Sequence, residues 1–278
     1  MFYSLLNNTK FKSFIFYTSG DKNKPPHRYL VLYLLSITHM TNTFKIFAFL
    51  LLLAFTSLES FGQRGSELLI QANRATLERQ YGKALDLYNQ YIALNPEDFR
   101  GYFNRGTTAY NATKYEQAFN DFTKTLELNP IYKEAYYYRG MTLAKQTKYD
   151  EAIRDYSHVL STDSNSVPFL KLRSEAYASL GKEALALNDL NQAVDLAKLS
   201  GDLYKRRAEL KVKMKDIDGA LRDYNSVEKL IPAYKMVHYI KGNIYLELRE
   251  TEFACDEFQL ALDNQIVVAD RPYSEYCQ

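Results

Sequence analysis

The sequence predicts an all-α solenoid of about six helix-turn-helix repeats, and four observations carry that prediction. Alanine recurs at Ala84, Ala118, Ala152, Ala186, Ala220 and Ala254, each step being 34 residues without a slip. Twelve residues before each alanine stands a small residue (Ala72, Gly106, Gly140, Ser174, Ala208, Gly242). Four residues after it stands a large apolar one (Tyr88, Phe122, Tyr156, Leu190, Tyr224, Phe258). Finally, the period Phe99–Tyr132 reads at helical spacing as two short amphipathic helices, about Phe99–Ala112 and Tyr115–Leu128, stopped by Asn129-Pro130. Proline has no N–H and clashes with the preceding turn, so a helix ends there. Where two helices of a hairpin cross closely, only a small side chain fits and a bulky one fills the neighbouring gap. A single hairpin leaves an apolar stripe open, so each unit needs a neighbour of its own kind.

This pattern resembles the tetratricopeptide repeat family over about Gly65 to Val268. The six repeats cover 65–98, 99–132, 133–166, 167–200, 201–234 and 235–268. The family's loop proline is present as Pro96, Pro130 and Pro232, and its fourth position is filled by Leu68, Tyr102, Tyr136, Leu170, Tyr204 and His238. The later repeats depart from it: Ser164, Lys198 and Ile266 replace the proline, and Lys211 stands where an apolar residue is usual. The resemblance implies a right-handed α-solenoid.

Ahead of the repeats, Met40–Gly62 has Lys45, then the apolar run Ile46–Phe55, then small residues at Ser60 and Gly62. This predicts a signal peptide over 40–62 with cleavage before Gln63, the alternative being an uncleaved anchor. A ten-residue run is short for a span, which needs about 20 residues. Residues 1–39 do not fit an export signal, and the expectation is a non-native upstream extension with Met40 as the start. In the fourth repeat, Pro168 suits a first helical turn and Ser166 its cap. The tail 269–278 is too short for another repeat. Pro272 is expected to begin a last turn that covers the open face of repeat six, as solenoid ends require.

The 278 residues are 46% hydrophobic, with 24 tyrosines and no tryptophan, which suits a helical body without one central core. Six of the 35 bases and two of the 33 acids fall in residues 1–62, which leaves 29 against 31 in the remainder. A mildly acidic body lacks the footprint of a nucleic-acid binder, so no nucleic acid is expected. His27, His39, His158 and His238 stand at no metal-ligand spacing, no glycine-rich phosphate loop is present, and no nucleophile, base and oxyanion site come together. No enzyme activity, metal or cofactor is therefore expected. Asn111-Ala112-Thr113 is a glycosylation sequon inside a hairpin and is taken as accidental.

One charge pattern carries information. The residue before the small position is basic in five repeats (Arg105, Arg139, Arg173, Arg207, Lys241), and sixteen residues later the same repeats carry Asp121, Asp155, Asp189, Asp223 and Glu257. Repeat one has neither, with Gln71 and Leu87 there. Joint presence and absence predicts an ion pair bridging the two helices of each hairpin, rather than an arginine ladder for an acidic ligand. Cys255 and Cys277 both lie near the chain end, on the last second helix and in the tail that folds back over it. In an exported protein a disulfide that pins the tail is expected, the alternative being two free thiols.

The resemblance also implies a concave groove lined by first helices at the second, fifth, ninth and twelfth repeat positions. Carried over, these include Phe103, Thr107, Tyr110, Tyr137, Met141, Lys171, Glu175, Lys205, Glu209, Tyr239 and Asn243, with Arg206 beside them. Phe103, Tyr110 and Tyr137 form an expected aromatic floor, while Lys171, Lys205 and Arg206 place positive charge further along. The family's two-carboxylate clamp is absent, because Leu69, Glu134 and Tyr138 replace its bases. The expected function is a non-catalytic protein- or peptide-binding scaffold of the bacterial cell envelope, periplasmic or extracellular, with no membrane span after signal cleavage. The alternative is a structural assembly part, with a helical-repeat nucleic-acid binder a distant third.

Overall fold

The computed structural model describes residues 64–277; the expectations for residues 1–39 and 40–62 lie outside the described residues. Contacts divide the chain into Met1–Gln63 and Arg64–Gln278, and all described residues belong to the second unit. It is built from paired helices. After α1, described over 64–77, come α2 (Tyr81–Leu94), α3 (Phe99–Asn111), α4 (Tyr115–Leu128), α5 (Lys133–Lys145) and α6 (Tyr149–Thr162). The array continues through α7 (Val167–Ser179), α8 (Glu183–Leu196), α9 (Gly201–Lys213), α10 (Ile217–Leu230), α11 (Met236–Glu247) and α12 (Thr251–Asp263). No strand occurs among the described residues. Odd-numbered helices open each repeat and even-numbered ones close it.

The hairpin turns have one chemistry. The second residue after each first helix turns left-handed, at Arg79, Thr113, Thr147, Gly181, Lys215 and Arg249, with φ between 58° and 69°. That turn lets the next amide reach back, as Lys114 N–H does to the Ala109 carbonyl at 2.8 Å, so the helix end keeps its hydrogen bonds. Only Gly181 enters this region without a Cβ penalty. Caps are sparse: Asp98 accepts from the Arg100 amide and Asp216 from the Gly219 amide. Ser166 occupies the cap position of α7, but its hydroxyl makes no capping bond, contrary to expectation; Pro168 stands in the first turn.

The small-to-large rule has a direct steric reading. A Cβ at Gly106 would stand 2.8 Å from Phe122 Cε1, and one at Gly242 would stand 2.6 Å from Phe258 Cε1. Phe122, Tyr156 and Phe258 are buried behind those glycines, and Ala84 to Ala254 are fully buried at the crossings. The core is therefore a chain of small clusters, one passing into the next. Each first helix from α3 onward packs between its own second helix and that of the preceding repeat. Among the described residues, α5 also touches the first helices on either side of it, α3 and α7, whereas no successive second helices pack as closely. This agrees with the tetratricopeptide resemblance, which implies that first helices line a concave side.

The tail ends the array. A 3-10 turn, Val267–Ala269, leads into α13 (Asp270–Tyr276). This helix begins two residues before Pro272, because proline's missing N–H costs nothing within the first turn. Ala269, Tyr273 and Cys277 pack on the Phe258 cluster of α12. Cys255 and Cys277 are joined as a disulfide with a Cα separation of 5.5 Å.

Candidate functional site

The predicted charge pairs are contacts. Arg139 donates from Nε and Nη2 to the two Asp155 oxygens at 2.9 and 2.6 Å, and Arg105, Arg173 and Arg207 hold Asp121, Asp189 and Asp223 in the same fork. The carboxylates are buried, with Asp189 only 1% exposed. Burial raises the Asp121 pKa even though Arg105 pulls it down. Burial also works against the charge of Arg139, but Asp155 outweighs it and the guanidinium pKa is raised. The third nitrogen of each fork reaches back one repeat, to Asn89, Thr123, Ser157 and Asn191 in turn. Sequence reasoning missed this second reach, although a small polar residue sixteen positions before every arginine was its signal.

Repeat six builds the pair from other parts. Lys241 meets Glu257 at 2.5 Å and Glu228 at 3.0 Å, while His238 Nδ1 takes the second Glu257 oxygen at 2.8 Å. Lys211, the departure from the repeat pattern, bonds Asp223 at 2.8 Å with its side chain 13% exposed. His158 stacks on Tyr136 at 4.5 Å between centroids. No cluster of three or more metal-ligating side chains occurs among the described residues.

The expected groove residues divide into two groups. Phe103 is packed between repeats, against Phe122, Tyr132 and Tyr138 at centroid distances of 5.9, 4.9 and 5.7 Å. Tyr137 meets Tyr138 and Phe169 edge-on. Tyr110 contacts Tyr115 and Tyr138 and keeps an open side. The expected positive stretch is neutralised. Lys171 pairs with Asp202 at 3.4 Å, and Arg206 pairs with Glu175 at 2.6 Å and Asp202 at 3.0 Å. Lys205 lies 4.4 Å over the Tyr234 ring and 3.9 Å from Glu209. Tyr239 packs towards Phe258, and the Asn243 amide donates to the Tyr239 carbonyl of its own helix at 2.7 Å. Lys171 and Arg206 are thus each held by an acid on the adjacent first helix, Asp202 and Glu175.

The concave side carries an open trough of about 230 Å³ across repeats two to four. Met141, Ala144, Leu172 and Ala176 supply an apolar floor, and Tyr110 and Tyr149 flank it. Lys145 and Glu175 are its charged members. Tyr149 opens a second helix, so the first-helix template did not include it. A second depression, with Ala178, Leu190 and Leu210, continues past Glu175 towards repeat five.

Stacked hairpins with an inner trough define an α-helical repeat solenoid. Residues 103–167 match the family model described as Tetratricopeptide repeat. The repeat body has the fold of solved tetratricopeptide-repeat solenoids. MamA 41-end from Desulfovibrio magneticus RS-1 is 19% identical with a TM-score of 0.58, covering 62% of this chain and 97% of that one. YrrB, described as a TPR protein with an unusual peptide-binding site, is 22% identical with a TM-score of 0.56 and covers 67% and 97%. The C-terminal part of a TPR repeat-containing protein from Cytophaga hutchinsonii is 15% identical with a TM-score of 0.63, covering 70% and 78%. None of the curated proteins compared with the chain matches it.

Proposed function

We propose that this chain is a non-catalytic scaffold that holds a segment of a partner protein in the trough of repeats two to four. The observation that carries this reading is the trough itself: an open apolar floor on the concave side, where a packed core would have closed it. A peptide-binding site in YrrB agrees with it. The site of action is proposed to be the cell envelope or beyond, on the apolar run and small-residue end of 40–62. No helix among the described residues is long and apolar enough to cross a membrane.

The test is partner capture from envelope extract by the full chain and by Met141→Glu and Tyr110→Ala. Both variants should lose captured protein while the far-ultraviolet helical signal stays intact. Unchanged capture by both would rule out the trough. A second reading, an assembly part, is favoured by Ile131, Leu199 and Val267, which are 87%, 85% and 79% exposed on connections two repeats apart, the last in the 3-10 turn. Loss of capture in Ile131→Ser or Leu199→Ser, with both trough variants unaffected, selects it.

A further inference from the structure

Resting on the trough reading, we infer that the partner segment is a proline-rich chain in the polyproline II form, with an acidic residue at one end. The trough is open and continues past Glu175 towards repeat five, a course along which an extended backbone can lay successive side chains. Its flanks are rings and its floor is apolar, which suits the flat apolar faces of pyrrolidine. Tyr110, Ala144 and Ala178 hold the same position in repeats two, three and four. First helices in contact lie about 8–10 Å apart. A polyproline II helix repeats every three residues, about 9 Å, so prolines one turn apart keep step with the repeats.

Hydrogen bonding points the same way. Polyproline II has no internal hydrogen bonds, so its carbonyls stand open as acceptors. The Tyr110 and Tyr149 hydroxyls, on the trough flanks, have no hydrogen-bond partner among the described residues and can donate to them. Charge supplies the acidic end. Glu175 is held by Arg206 at 2.6 Å, whereas Lys145 has no partner among the described residues, so the trough faces its ligand with one uncompensated positive charge.

The test uses the full chain labelled at its methionine methyl groups. There are five methionines, and Met214 and Met236 serve as controls outside the trough. Three probes are titrated: a twelve-residue oligoproline ending in aspartate, the same peptide ending in lysine, and an alanine-rich amphipathic helix of equal length. The aspartate oligoproline should shift the Met141 methyl signal and leave both controls unmoved. Its lysine counterpart should bind about tenfold more weakly at low salt, and Lys145→Glu should reverse that order. Tyr110→Phe and Tyr149→Phe should each weaken binding several-fold by removing a hydroxyl and no ring. If the helical probe shifts Met141 at equal or lower concentration, the trough stands and the polyproline inference falls. If no probe moves Met141 at 1 mM, on the order of the weakest specific affinities, both fall.

Discussion

Consider removing one half of the Arg139–Asp155 pair. Arg139→Ala leaves a carboxylate that is 5% exposed, deprived of both its fork bonds and facing no other cation within the hairpin. Stranding a buried charge in this way costs about 3–5 kcal/mol. Asp155→Ala should cost less, about 1–3 kcal/mol. The Arg139 side chain is 20% exposed, and its guanidinium reaches Thr123 at 3.4 Å and lies over the Tyr136 ring, so water and neighbours can still serve it. The double variant strands neither charge, so its loss should fall short of the summed single losses by about 2 kcal/mol. Urea unfolding followed by circular dichroism reads all four proteins, and comparable slopes are required. Additive single losses would refute the reasoning.

Other expectations follow from the same geometry. Thr147→Gly should raise stability by up to about 1 kcal/mol, because a β-branched residue at φ 61° gives way to one without a Cβ; Gly181→Thr should lower it, and thermal melts compare the two. Gly140→Ala drives a Cβ into the Tyr156 ring and should cost about 1–3 kcal/mol in denaturant. Reducing the disulfide should free α13 and cost on the order of 3 kcal/mol in the chain-entropy account, read as faster amide exchange in 267–277; unchanged exchange would mean that packing alone holds the tail. Burial and the Asp98 bond push the Tyr91 pKa up to about 12. Its contribution is complete below pH 10, where the unfolded tyrosine is still neutral, and is lost as pH rises through about 12; Tyr91→Phe should flatten the alkaline limb of a stability profile.

Much of this architecture was legible because a 34-residue period samples the same environment six times. A small residue at Gly106 means little by itself, but six small residues opposite six large ones encode a crossing distance. The ion pairs were legible for the same reason, since repeat one lacks both partners together. The trough was not. Periodicity reports what repeats share, whereas the trough depends on how Met141, Ala144, Leu172 and Tyr149 differ from their counterparts elsewhere. Lys171 reaches Asp202 and Arg206 reaches Glu175 across adjacent first helices. Reading each repeat alone hides such bonds.

The backward reach of the arginines bears on how the chain can grow or be cut. Each fork needs only a small polar residue on the repeat behind it, so a duplicated or deleted block of 34 residues would still find its latch. The joint between repeats five and six is made differently, by Lys241 on Glu228, whose side chain is 41% exposed. The helices on either side of this joint, α10 and α11, also pack less closely than those at the other joints. When the array opens from its C-terminal end, repeat six and its disulfide-bound tail should therefore peel away as one piece, leaving repeats one to five as the durable remainder for a protease to find.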